Sequence, residues 1–512
     1  MSKARVPWKA VVGGSVGNLV EWYDWFVYSS FAVYFAASFF PEGNDTAKLL
    51  NTAAIFAVGF FMRPLGGWLL GRYADRKGRK AALTLTVTLM SASALLIAIA
   101  PTYESVGYFG AAVLVVARLL QGLSVGGEYA ASATYLTEAT PRGRRGFASS
   151  FQYVSMTAGQ LVGLGLQIIL QNSMSKEALS SYGWRIPFVV GALAAAVVFY
   201  LRRSLLETEA FGEEEREVKQ GERGTIKELL AHKREALLVI ALTMGGTVAY
   251  YTYTTYLTKY LSNTAGLAKE TATLVSFCAL FLFMCVQPLA GALSDRIGRR
   301  PLLITFGLGS MLGTVPLMTA LGGATGFGGA LVLSLTGLLI ITGYTSINAV
   351  VKAELFPTNV RALGVALPYA IANALFGGTA EYVALWFKDS GIESGYFWYV
   401  SGCAAVSLIV YLTMRETRDA ALSRAEQAAE EPVSSALNLA TCEFSWSKTT
   451  IGSRPPSPRP SPGTATRSPG RGWPSTRSAW RAAPTSSCWT WACPTWTGST
   501  RCAACGGCRR CR

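Results

Sequence analysis

The stretch NLVEWYDWFVY, Asn18 to Tyr28, places two carboxylates, Glu21 and Asp24, in a run that is otherwise mostly apolar and aromatic. A charge at the centre of a spanning helix costs roughly 2.5–3.5 kcal/mol. Two of them facing lipid would cost about 6 kcal/mol, so these acids are expected to face something more polar. Asn18, Glu21, Asp24 or Trp25, and Tyr28 recur at spacings of three and four, which puts them on one stripe of a helix. A second stripe lies in RLLQGLSVGGEY (118–129). At about 100° per residue, Gln121 and Glu128 are about 20° apart and Arg118 is within about 80° of Glu128.

These residue types suit proton and anion chemistry. A carboxyl group in a low-dielectric cavity can load a proton from one side and release it to the other, so Glu21, Asp24 and Glu128 are proton-coupling candidates. A guanidinium holds a carboxylate through two parallel bonds. Arg118 with Gln121, and Arg63 in FFMRPLGG, are therefore candidate anion ligands. Arg118 would also keep one acid ionised until substrate or a proton competes for it. Further along, YYTYTTYLTKY offers hydroxyls at Tyr250, Tyr253 and Tyr256, spaced by three, and a positive charge at Lys259. Tyr28, Tyr253, Tyr256 and Lys259 join the substrate-binding candidates, with Tyr344, Ser346 and Asn348 as weaker ones. Gln152, Gln160, Asn373 and Glu381 are polar residues to which the sequence assigns no role.

Such side chains need helices that cross a bilayer. Of 512 residues, 51% are hydrophobic and 15% charged, with a mean hydropathy of +0.32; soluble chains carry about 25% charged residues. Apolar runs of about 20 residues predict twelve membrane helices, at roughly 11–37, 49–71, 81–100, 108–135, 147–171, 185–201, 236–260, 271–292, 301–320, 326–350, 363–387 and 395–414. The first run is too long for a signal peptide and lacks a small-residue cleavage site. Lys and Arg gather in GRYADRKGRK (71–80), PRGRRG (141–146), the loop 202–235 and DRIGRR (295–300), while PEGNDTAK (41–48) and PTYESVG (101–107) are nearly free of Arg. Both termini of the helical body are therefore expected on the cytoplasmic side of the inner membrane. The sole histidine, His232, lies in the loop 202–235, and no metalloprotease or nucleotide-binding motif occurs. No enzymatic activity, cofactor or metal is expected, and a membrane sensor would need an output domain that the sequence does not offer.

The net charge of +16 is unevenly held: from 442 onward eleven Lys and Arg stand against one acid, Glu443. A basic tail would ordinarily suggest nucleic acid. Residues 452–512, however, use only Gly, Ser, Arg, Pro, Thr, Ala, Trp and Cys. Those are the amino acids whose codons carry G or C at the second position, as a GC-rich gene gives when read out of frame. Residues 441–512 are expected to be frameshifted, and no nucleic-acid partner is expected. The cluster Cys502, Cys505, Cys508 and Cys511, which alone would suggest a metal site, falls in the same segment. Outside it, Cys278, Cys285 and Cys403 lie in apolar runs.

GRYADRKGRK returns as GALSDRIGRR (291–300), and EATPRGRRG (138–146) is matched more weakly by ELFPTNVRA (354–362). Residues 1–201 are thus expected to form one six-helix half, 202–235 a cytoplasmic linker, 236–414 a second half and 415–440 a cytoplasmic segment before the tail. The doubled G-x-x-x-D-R-x-G-R-[KR] loop resembles the signature of the major facilitator superfamily. GNLVEWYDWFVY, RPLGGWLLGRYADRKGRK, RLLQGLSVGGEY and YGWRIPF resemble its metabolite:proton symporter family, a likeness that covers about 8–415. The resemblance implies an all-α membrane protein of twelve transmembrane helices in two six-helix halves that rock about a midplane site, with helices 1, 4, 7 and 10 lining the cavity. It implies a gate at the doubled loop. Gly71 and Gly78 would permit a tight turn, Asp75 and Asp295 would accept N–H groups at a neighbouring helix N-terminus, and Arg79 and Arg299 would pair across the interface. The implied partners are a small organic anion, protons and the bilayer, with the protein a monomer. α-Ketoglutarate is the first substrate expected; citrate, shikimate and proline or betaine are the alternatives. Each charge moved against the membrane potential costs about 2.3 kcal/mol per 100 mV, so two protons would make dicarboxylate import electroneutral. A drug antiporter of the same fold would carry a G-x-x-x-G-P pattern in helix 5, which SFQYVSMTAGQLVGLGLQIIL lacks.

Overall fold

The computed structural model describes residues 8–77, 79–126, 140, 142–205, 229, 231–356 and 361–418, all within one compact unit, Met1–Asn438. Gly78, Glu128 and the tail with its cysteine cluster lie outside the described residues. Among the described residues the regular structure is helical and there is no strand. In a bilayer this is the expected outcome, because an apolar run can satisfy its backbone only within its own helix or in a closed barrel.

The first half contains α1 (Trp8–Phe39), α2 (Asp45–Lys77), α3 (Arg79–Ala98), the short α4 (Tyr103–Val106), α5 (Phe109–Val125), α6 (Arg145–Ser173), the short α7 (Lys176–Ser181) and α8 (Ile186–Leu205). The second half contains α9 (Lys233–Tyr251), which runs through a π-turn at Thr252–Tyr256 into α10 (Leu257–Asn263). It continues with α11 (Lys269–Ile297), α12 (Arg300–Gly322), α13 (Phe327–Thr345) and α14 (Asn348–Leu355). Then α15 (Arg361–Ala372) passes through a second π-turn, Asn373–Gly377, before α16 (Ala380–Asp389) and α17 (Glu393–Thr413). Eight spans among the described residues are long and apolar enough to cross a membrane, and shorter apolar helices cover Leu85–Ala98, Phe109–Val125 and Gly183–Val197. Large apolar side chains such as Leu289, Leu312 and Trp398 stand exposed around the outside. In water that would be a liability; against acyl chains it is the favourable face.

Two seams join the halves: α6 runs along α11, and α2 packs against α15 and α16. Small residues let the backbones close in. A Cβ on Gly291 of α11 would collide with the carbonyl of Gly146 in α6, and a Cβ on Gly378 would collide with the Phe60 ring of α2. The doubled loop shows its glycine at work in the second copy. Gly298 ends α11 at φ 98°, a region that costs other residues strain. Beyond it the Glu416 carboxylate accepts from the N–H groups of Arg299 and Arg300 at 2.9 Å each, which caps α12.

Candidate functional site

Midway along the first half, α1 offers one indole to two arginines. The guanidinium carbon of Arg63, on α2, lies 4.1 Å from the Trp25 ring centroid and 4.2 Å from that of Phe60. That of Arg118, on α5, lies 4.0 Å from Trp25 and 4.8 Å from both Tyr28 and Phe56. Both side chains are buried. Stacking on aromatic faces offsets part of the cost of removing a guanidinium from water. It leaves in-plane donors free for other partners, one of which is met within α5, where Arg118 Nη1 donates to Gln121 Oε1 at 2.5 Å. The Nε and Nη2 atoms of both arginines, and Gln121 Nε2, have no hydrogen-bond partner among the described residues. Tyr28 is spent on structure, its ring stacked on Phe56 and its hydroxyl donating to the Thr52 carbonyl at 3.3 Å.

The second half faces this cluster with residues that the sequence left unassigned or did not single out. The Tyr251 ring packs 5.4 Å from Phe60 and 6.4 Å from Phe26. Asn373, at the start of the second π-turn, is buried, and its side chain and that of Arg63 both lie within reach of the Tyr251 hydroxyl. Arg63 also lines a cleft of about 440 Å³ between α2 and α15, walled by Pro64, Trp68, Leu363 and Leu367.

The polar stripe of α1 does not point one way. Asn18 turns to α6, donating to Ser155 Oγ at 2.7 Å and accepting from Trp22 Nε1 at 2.9 Å. Asp24 turns instead to α8, so close that a Cβ on Gly191 would overlap Oδ1. Its two oxygens have no hydrogen-bond partner among the described residues, and Arg118 is the cation whose charge reaches it. Glu21 is buried on the same helix. A central helix has neighbours on every side, so periodicity alone does not say which of them a residue meets.

The tyrosines of YYTYTTYLTKY also diverge, because the π-turn breaks their spacing. Tyr250 meets Tyr153 of α6, with ring centroids 5.2 Å apart. Tyr253 lies against Gly337 of α13, within its own half. Tyr256 meets Tyr396 edge to face and donates to Glu393 Oε1 at 3.0 Å. Beyond them Lys259 forms an ion pair with Glu381 of α16, both side chains only 2% exposed. Ser29 of α1 joins from the other half, donating to Glu381 Oε2 at 2.6 Å and accepting from Lys259 Nζ at 3.0 Å.

At the opposite end of the helices, Asp295 accepts from the N–H groups of Gly146 and Phe147, at 2.8 and 2.9 Å, where α6 begins. A carboxylate there meets unpaired donors and the positive end of the helix dipole. Arg299 clasps it at 2.8 Å and donates to Ser294 Oγ at 2.6 Å, with Glu354 3.6 Å away. Ser149 of α6 accepts from Val350 N of α14 at 3.1 Å. In the first copy of the loop, Gly71 and Asp75 fall in the last part of α2, and Arg79 opens α3.

Known transporters share this architecture. The solved structure of the xylose transporter XylE from E. coli, in a partially occluded inward-open conformation, superposes with a TM-score of 0.62 at 18% identity, over 80% of this chain and 100% of that one. The chain is 50% identical over 405 residues to the alpha-ketoglutarate permease of Escherichia coli K12, covering 79% of this chain and 93% of the permease. It is 33% identical to the citrate-proton symporter of Salmonella typhi over 82% of this chain and 96% of that one. The family model described as Major Facilitator Superfamily matches residues 14–380, and the chain belongs to that superfamily.

Proposed function

We propose that the protein is a proton-coupled symporter that imports α-ketoglutarate across the inner membrane by alternating access. The observation that carries this reading is the pair of buried guanidiniums on Trp25 with unspent donors, which suits the carboxylate of an organic anion. The half-identical permease and the citrate-proton symporter support the substrate class and the coupling. In this reading the three shorter apolar helices and α1 complete twelve spans, with the linker, both termini and the Asp295 end on the cytoplasmic side. Arg63, Arg118 and Gln121 bind the anion, and Asn373 and Tyr251 close over it from the second half. Asp24, buried without a donor among the described residues, carries a proton, and Glu21 and Glu128 are further candidates for proton coupling. Asp295 and Arg299, with Gly71, Asp75, Gly78 and Arg79 of the first loop, hold the cytoplasmic side shut until rocking separates α6 from α11.

The test is uptake of labelled α-ketoglutarate by cells expressing the protein at acidic external pH, with and without a protonophore. Excess unlabelled citrate, shikimate and betaine serve as competitors. Uptake that collapses with the protonophore and with Asp24→Asn is expected. Uptake indifferent to both would sink proton symport. No uptake by protein shown to be in the membrane would overturn the substrate.

A further inference from the structure

The ion pair between Lys259 and Glu381 is not needed to hold the two helices that carry it in one half. A buried pair gives little net stability over well-packed neutral side chains. Its position is more informative. The groups facing Glu381 are Lys259 of α10 and Ser29 of α1, both bonded to it. Arg118 of α5, Tyr28 of α1 and Tyr396 of α17 lie within reach of its charge. Glu381 is therefore paired with the ammonium of Lys259 and within reach, through its charge, of the guanidinium proposed to bind the anion. Ser29 is its only link across the halves among the bonds described, so separating the halves at this end leaves Lys259 and Glu381 together and uncovers them.

Resting on the α-ketoglutarate reading above, we infer that Glu381 is a coupling acid: a substrate carboxylate takes Lys259 from it, and the displaced Glu381 takes up a proton. The balance is simple. One ammonium exchanges one carboxylate for another, and the released carboxylate, left buried without its cation, accepts H⁺ from water because an uncompensated buried charge costs more than the proton. Each substrate carboxylate that enters this way brings one proton, with no change in the charge of the site. On the return step the substrate leaves, Glu381 gives up the proton and regains Lys259.

The experiment is α-ketoglutarate binding to the purified full chain between about pH 6 and about pH 8, where both substrate carboxyls stay ionised. Proton uptake on binding is read from the slope of log Kd against pH. Wild type is expected to bind more tightly as pH falls. Glu381→Gln is expected to reduce that slope by about one proton and, having no competitor for Lys259, to bind more tightly than wild type at the alkaline end. Because the single variant leaves Lys259 unpaired and could fail to fold, the neutral pair Lys259→Gln with Glu381→Gln is measured beside it. Its slope should fall by the same amount and its affinity by at least tenfold. A wild-type slope in either variant overturns the inference and leaves the substrate reading intact. A folded wild type that does not bind α-ketoglutarate removes that reading and this inference with it.

Discussion

The two ends of the molecule are closed by different chemistry. At one, the Asp295 carboxylate meets backbone N–H groups of α6 and is clasped by Arg299. At the other, a buried side-chain cluster meets, Ser29 from one half and Lys259 and Glu381 from the other, with Lys269 donating nearby to the Val33 carbonyl at 3.2 Å. A contact to backbone amides at a helix start cannot be competed away by a small anion, since those donors point into the seam. A contact through an ammonium can. The difference suggests a latch at the Asp295 end that answers only to the rocking of the halves, and a closure at the Lys259 end that answers to what is bound.

The contrast can be broken most forcefully at the latch. Asp295→Ala strands two N–H groups and leaves the buried Arg299 guanidinium with Ser294 and the more distant Glu354 alone, so the contact should weaken by about 3 kcal/mol. Spin labels on the ends of α6 and α11 should then report a wider separation at the Asp295 end, and uptake should fall more than tenfold; an unchanged distance would remove the latch. At the other end, Lys259→Gln or Glu381→Gln alone should lower stability by roughly 3 kcal/mol, while the double variant should return to within about 1 kcal/mol of wild type. Thermal unfolding in detergent measures this, and a loss in the double variant equal to the sum of the two single losses would mean that the pair is not coupled. Gly291→Ala inserts a methyl group into the Gly146 carbonyl and should wedge the latch open at a cost of about 1–3 kcal/mol. Gly402→Ala, with open space around it, should be silent in the same assay. Apart from that silent control, the smallest effect belongs to Ser29→Ala, which removes two hydrogen bonds across the halves, each worth about 0.5–1.5 kcal/mol. It should raise labelling of a cysteine placed at the Lys259 end severalfold while leaving the Asp295 end unchanged.

Much of this was legible in the sequence because it is local or repeated. Apolar run lengths gave the helices, and the doubled loop marked the place where Asp295 sits at a helix start. The three-residue spacing of Arg118 and Gln121 put them within hydrogen-bonding reach. What stayed hidden is tertiary. Ser29 and Glu381 meet across 352 positions, and nothing in either segment names the other. The single stripe expected of α1 divides between α6 and α8 because that helix is surrounded. Tyr253 and Tyr256 part company because a π-turn, invisible to a count of threes and fours, resets the face.

That turn has a consequence for how the protein can change. A residue inserted into a regular α-helix rotates all that follows by about 100°, whereas a π-turn takes up one such residue within a single turn. Lys259 lies just beyond Thr252–Tyr256. Loss of a single codon in that segment would return it to regular α geometry and leave the ammonium on the face it shares with Glu381. The same loss a few residues later, in regular α-helix, would swing whatever follows it about a quarter turn away. The π-turn is thus the place in this helix where length can change by one residue without moving the ion pair.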